Sequence, residues 1–246
     1  MMKYTIQPTK EKGWVALNEE TDESSLAKKI READIILADL DGTDTSSGYS
    51  LVLYSLNQPE FFSTIKFWKY LAKSAYLYAK KRKKSESEIW KNWINTFYRD
   101  KSHLKNVREM YTPKFANSEL YKGVREFYDT LRGDALRVYV SRNLDEVIEA
   151  FSKTLAFNDF FAEQFNKKDS VKQILERFPH RKRFIVKGDT AEDEEMFDEL
   201  KYWKKVEQIN DVYFINIANH ERNYNPRADV NSSRNQLALA EWLKQY

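Results

Sequence analysis

Asp39 and Asp41 close a short apolar run, Ile35-Ile36-Leu37-Ala38, and Gly42 follows them directly. Residues two apart in an extended chain point to the same side, so the two carboxylates leave the strand together. Side by side they repel each other, which requires a proton or a cation between them. In open α/β sheets, ligand chemistry gathers beyond the carboxyl ends of the strands. The pair therefore reads as part of an active site rather than as a turn or a helix cap.

Other segments place chemistry at similar points. Leu136-Arg137-Val138-Tyr139-Val140 reads as a strand and ends in Ser141, with Arg142 and Asn143 beyond it. Arg183-Phe184-Ile185-Val186-Lys187 reads as another, ending in Gly188-Asp189, and Asp193 stands four residues further on. Between them Lys168 opens a helix-like segment in which Val171, Ile174 and Leu175 take the apolar positions. Lys167 is the alternative to Lys168.

Strands must hold these groups and helices must cover the strands. A strand or hairpin is expected around residues 3–7 and 14–17, then a helix through Arg31 capped by Ser24 or Ser25. The strand at residues 35–40 follows. Residues 57–115 change character: Pro59 suits a helix start, and Ser85-Glu86-Ser87-Glu88 is a capping box. Aromatic and aliphatic residues recur there at helical spacing, so this interval reads as a small all-helical insertion. From Asn117, helices at 118–131, 144–155, 192–206 and 236–244 alternate with the strands already named and one at 212–217. Such alternation implies an α/β fold with a mostly parallel sheet covered by helices on both faces.

A chain of 246 residues can bury a substantial core. It has no cysteine, which excludes disulfides and thiolate metal sites and leaves oxygen or histidine as metal donors. His103, His180 and His220 show no metal-ligand spacing. The first twenty residues lack a signal-peptide core and no run is long enough to span a bilayer, so a cytoplasmic protein without membrane contact is expected. A net charge of +3 is too small to argue for nucleic acid. Its distribution says more, with a lysine-rich stretch between residues 66 and 108 and an acidic one from Asp189 to Glu199. An acidic pocket beside a basic neighbour suits a divalent cation and an anionic substrate.

The run Asp39-Leu40-Asp41-Gly42-Thr43, the strand ending in Ser141, the lysine-led helix and Gly188-Asp189-Thr190-Ala191-Glu192-Asp193 occur in that order. Together they resemble the four motifs of the haloacid dehalogenase-like superfamily, in its phosphatase branch. The resemblance implies a Rossmann-like core at residues 1–56 and 116–246, with an N-terminal extension at 1–30 that is not standard there, and a helical cap at 57–115. It implies Asp39 as nucleophile, forming an aspartyl-phosphate, and Asp41 as acid and base. Mg²⁺ would be held by Asp39, the backbone carbonyl of Asp41 and Asp189, with Asp193 as a ligand or a holder. Gly42, Thr43, Ser141 and Arg142 would bind phosphate oxygens, and Lys168 would neutralise charge. Aspartate at position 41 points to a phosphatase or phosphomutase acting on a small phosphorylated metabolite. Asp44 stands where an apolar residue is usual, which puts a charge near the site entrance.

Two other readings stay open. A phosphomutase could use the same aspartates. The basic, aromatic insertion could instead bind nucleic acid or a protein partner, although such residues more often form a small helical core with a wet lysine face. Substrate identity and oligomeric state are not legible.

Overall fold

The computed structural model describes residues 2–9, 11–46, 69, 72, 76, 101–164, 166–220 and 223–246. Among the described residues eight strands form one sheet: β1 (Met2–Thr9), β2 (Gly13–Asn18), β3 (Ile35–Ala38), β4 (Leu136–Val140), β5 (Asp159–Phe161), β6 (Arg183–Gly188), β7 (Asp211–Ala218) and β8 (Val230–Ser233). Their order is β1-β2-β8-β7-β6-β3-β4-β5. From β8 to β5 every neighbouring pair is parallel, while β1 with β2 and β2 with β8 are antiparallel.

The helices with described bounds are α1 (Glu23–Arg31), α2 (Lys101–Met110), α3 (Pro113–Glu119), α4 (Val124–Tyr128), α5 (Asp145–Leu155), α6 (Lys167–Arg177), α7 (Ala191–Lys205) and α8 (Leu237–Lys244). They cover both faces of the sheet, and the strand residues divide between two cores by the two-residue period of an extended chain. Ile36 and Ala38 of β3 join Tyr139, Ile185 and Ile215 in the core beneath α1, α4, α5 and α8. Ile35 and Leu37 join Val138, Val140, Phe184, Val186 and Phe214 in the core beneath α6 and α7. A strand buried on both faces has no polar side, so β3 reads as an unbroken apolar run.

Most expected elements are present, and four differ. Asp22 caps α1, accepting from the Ser25 amide at 3.1 Å; neither Ser24 nor Ser25 does so. The single helix expected at 118–131 is two helices, because Leu120 is extended and bridged to Thr45 and Gly123 sits at φ +84°. The strand expected at 35–40 ends at Ala38. β8 is not among the expected strands, being short with serine or asparagine at three of its four positions, yet it is the strand that joins the N-terminal hairpin to the parallel sheet. The insertion expected at 57–115 lies outside the described residues up to residue 100, three isolated positions apart. Beyond it, Val107 of α2 and Tyr111 pack in the main core. Among the described residues no helix is long and apolar enough to cross a membrane.

Candidate active site

β3, β4 and β6 are adjacent and parallel, so their carboxyl ends open on one edge. Asp39 follows β3 directly, Ser141 follows β4 and Asp189 follows β6. The Asp39 amide donates to the Lys187 carbonyl at 2.9 Å, extending the β3–β6 pairing to the first acid. The chain then turns: Gly42 lies at φ +82°, and its amide donates to the Thr45 carbonyl at 2.7 Å. A Cβ at Gly42 would stand 2.1 Å from Asp189 Oδ2, so only glycine allows the turn and the acid to approach this closely.

Asp39 is 2 % exposed. Its Oδ1 lies 2.8 Å from Lys167 Nζ, which also donates to Asp193 Oδ1 at 2.7 Å. The other oxygen of Asp193 accepts from the amides of Asp189 and Thr190, both at 3.0 Å, and from the Thr190 hydroxyl at 2.8 Å. Asp193 thereby shapes the turn that presents Asp189. Asp41 is half-buried and its Oδ2 accepts from Asn143 Nδ2 at 2.9 Å. The Ser141 hydroxyl, itself buried, accepts from the Asn143 amide at 3.2 Å. Thr43 Oγ1 donates to Asp189 Oδ1 at 3.3 Å, and Arg142 pairs with Glu192 at 3.4 Å.

Burial and crowding govern the protonation of these acids. Burial pushes the Asp39 carboxyl up to about 8, against the pull of Lys167 and with the help of Asp193, Asp189 and Asp41. Burial likewise raises Asp189 to about 7, with Asp193 adding to it and Lys167, Arg234 and Thr43 opposing. Burial also pushes the Arg142 guanidinium down, but Asp39 and Glu192 more than restore it.

The site thus collects Asp39, Asp41, Gly42, Thr43, Ser141, Arg142, Asp189 and Asp193. It does not include Lys168, whose ammonium is half-exposed and pairs with Glu199 at 3.2 Å on the far side of α6. The lysine in the site is Lys167. It shares its helix face with buried Ser170, Val171 and Ile174, at spacings of three, four and seven residues. One residue along a helix is a rotation of about 100°, enough to turn Lys168 away. That i, i+3, i+4, i+7 pattern was available in the sequence.

Asp44 is also corrected. It is not at the entrance but wholly buried under the loop, where it binds the Lys187 ammonium and accepts from the hydroxyls of Tyr128 at 2.6 Å and Tyr139 at 2.9 Å. Lys187 lies 4.5 Å from the ring centres of Phe127 and Tyr128. Both tyrosines have their ionisation pushed well up by burial and by Asp44.

Carboxylate oxygens of Asp39, Asp189 and Asp193 lie within 4.8 Å of one another. An all-oxygen set of this size fits Mg²⁺, which takes one or two protein carboxylates and keeps several waters. Asp193 already accepts four hydrogen bonds, so Asp39 and Asp189, with fewer partners, are the carboxylates better placed to ligate.

Neither a family model nor a curated protein matches the sequence. Solved structures do match the fold. The crystal structure of cytosolic 5'-nucleotidase IIIB bound to cytidine aligns at a TM-score of 0.58 and 15 % identity, over 94 % of each chain. A haloacid dehalogenase-like hydrolase from Burkholderia xenovorans LB400 aligns at 0.50 and 16 % identity, over 84 % of this chain and 98 % of its own. The chain shares the fold of these two structures.

Proposed function

We propose that this protein is a Mg²⁺-dependent phosphatase acting on a small phosphorylated metabolite through an aspartyl-phosphate on Asp39. The observation that carries the reading is the pairing of two unlike carboxylates two residues apart. Asp39 is sealed in against Lys167, while Asp41 is half-buried and oriented by Asn143. One is placed to attack, the other to exchange protons. The matched folds of a nucleotidase and a haloacid dehalogenase-like hydrolase support the same class.

Mg²⁺ held by Asp39 and Asp189 would cancel charge between the nucleophile and the phosphate oxygens. Asp39 Oδ attacks phosphorus in line, the bond to the leaving oxygen breaks, and Asp41 gives that oxygen its proton. Asp41, now a carboxylate, takes a proton from water, whose oxygen attacks the phosphorus of the acyl phosphate. Inorganic phosphate leaves and Asp39 is regenerated. Lys167 holds the Asp39 oxygen that does not attack and adds positive charge behind it. Arg142 and Ser141, just beyond β4, bound the phosphate side, and donors fixed in advance there act without reorganising.

Hydrolysis of p-nitrophenyl phosphate, with Mg²⁺ and with EDTA, tests the reading. Wild type should turn over only with Mg²⁺, and Asp39→Asn should lose all detectable turnover. Asp41→Asn should lose about 10²–10⁴-fold. Mg²⁺-independent hydrolysis, or a fully active Asp39→Asn, would sink it.

A further inference from the structure

Arg234 follows β8 as Asp39 follows β3, Ser141 follows β4 and Asp189 follows β6. Because β8 runs parallel to β7 in the same sheet, Arg234 emerges on the carboxyl edge that carries the site. Its Nε donates to the Gly42 carbonyl at 3.0 Å and its Nη2 lies 3.5 Å from Asp189 Oδ2. The guanidinium rests 5.4 Å from the centre of the Tyr121 ring. Two residues on, Gln236, wholly buried, donates from Nε2 to the Thr43 carbonyl at 2.7 Å. A short C-terminal arm therefore grips the nucleophile turn at two successive carbonyls and reaches the acid opposite it.

The arm is itself held by the N-terminal hairpin. The Ala238 amide donates to the Lys12 carbonyl at 2.9 Å, and Asn235 Nδ2 donates to the Glu11 carbonyl at 2.9 Å. The Trp14 amide donates to Ser233 Oγ at 3.1 Å, and Lys12 pairs with Glu241 at 3.0 Å. Gly13, at φ +83°, is the contact point: a Cβ there would lie 2.0 Å from Ser233 Oγ and 2.3 Å from the Asn235 carbonyl.

We propose that Arg234 is a positioning residue that holds Asp189 and the Gly42 turn in register for metal and phosphate, and that the N-terminal hairpin works by holding Arg234. The inference rests on the phosphatase reading and gives residues 2–18 a task. Charge alone makes the opposite forecast: a cation beside Asp189 repels Mg²⁺, so its removal would tighten metal binding. Positioning forecasts that removal weakens it.

The test compares wild type with Arg234→Met, Arg234→Lys, Gly13→Ala, Asn235→Ala and the Gly13→Ala/Arg234→Met double variant. Mg²⁺ binding is read by thermal shift, and kcat and KM for p-nitrophenyl phosphate are read separately. Arg234→Met should raise the Mg²⁺ concentration for half the shift about 10-fold and lower kcat more than it changes KM. Arg234→Lys should recover part of both. Gly13→Ala and Asn235→Ala should lower kcat in the same sense, and Gly13→Ala should add little once Arg234 is gone. If Gly13→Ala fails to fold, Asn235→Ala carries that arm. Tighter or unchanged Mg²⁺ binding in Arg234→Met, or multiplying effects in the double variant, would overturn the proposal. The metal titration needs no turnover, so a wild type that binds Mg²⁺ without hydrolysing the ester would count against the phosphatase reading and leave this one decided by the shift.

Discussion

Lys167 and Lys187 are both wholly buried, and they solve the same problem differently. Lys167 faces two carboxylates, Asp39 and Asp193, at 2.8 and 2.7 Å. Burial pushes its ammonium down, but Asp193 and Asp39 outweigh that and leave it above its ordinary value. Lys187 faces one carboxylate, Asp44, among two tyrosine hydroxyls and two aromatic rings. There burial wins over Asp44 and leaves the ammonium below its ordinary value. The first lysine faces more than one acid, an arrangement that the proposed cation would complete. The second closes its charge within the protein, about one loop's thickness beneath. A buried cation with two acids marks a place where charge can still move; one with a single acid and saturated donors marks a brace.

The largest expected effects separate the two. Lys167→Met should cut kcat by about 10²–10³-fold, and no partner change should restore it, since Asp39 loses its support. Lys187→Met should act on stability instead, costing about 3–5 kcal/mol because Asp44 is left charged and unpaired in the core. Asp44→Leu/Lys187→Met should recover most of that loss, as an apolar pair of similar volume often matches a buried ion pair. Denaturant unfolding and steady-state kinetics on the same variants check both. If Lys187→Met reduced kcat as far as Lys167→Met without loss of stability, the distinction would fail.

The acids around Lys167 also give the site a pH signature of their own. The folded-state values of Asp39 and Asp189, about 8 and about 7, lie above their unfolded ones. Between those limits the folded state binds more protons than the unfolded one, so their contribution to stability falls as pH rises from about 4 to about 8. On the proposed reading, Mg²⁺ would take the place of those protons. The rise in melting temperature on adding Mg²⁺ should therefore be larger at pH 8 than at pH 6, and Lys187→Met should leave that difference intact. An equal rise at both pH values would contradict it.

The smallest effect concerns the neighbour that points away. Lys168→Ala should leave kcat unchanged and cost no more than about 1 kcal/mol, the usual range for an ion pair with a half-exposed partner. A kinetic defect in Lys168→Ala comparable to that of Lys167→Met would reverse their assignment.

Much of this molecule follows from local pattern. The apolar runs at β3, β4, β6 and β7, each about the length of a strand and separated by amphipathic stretches, determine a parallel sheet between two helical layers, because burial on both faces leaves no other arrangement for them. With the sheet comes the position of Asp39, Asp41, Ser141 and Asp189 at its carboxyl edge, since Asp39, Ser141 and Asp189 each directly follow a strand and Asp41 stands two residues beyond Asp39. Periodicity is a property of neighbours in the chain, and neighbours suffice to display it. The tertiary structure decided what depends on neighbours in space. It turned Lys167 inward and Lys168 outward, a difference of one residue at which the apolar spacing hints and which the packing of α6 on the sheet settles. It drew Asp44 away from the solvent to Lys187, 143 residues on. It brought Arg234 to Gly42 across 192 residues, through a strand too short and polar to announce itself. Charge and hydrogen bonding act over a few ångströms regardless of separation along the chain, so those partnerships exist only once the sheet has closed.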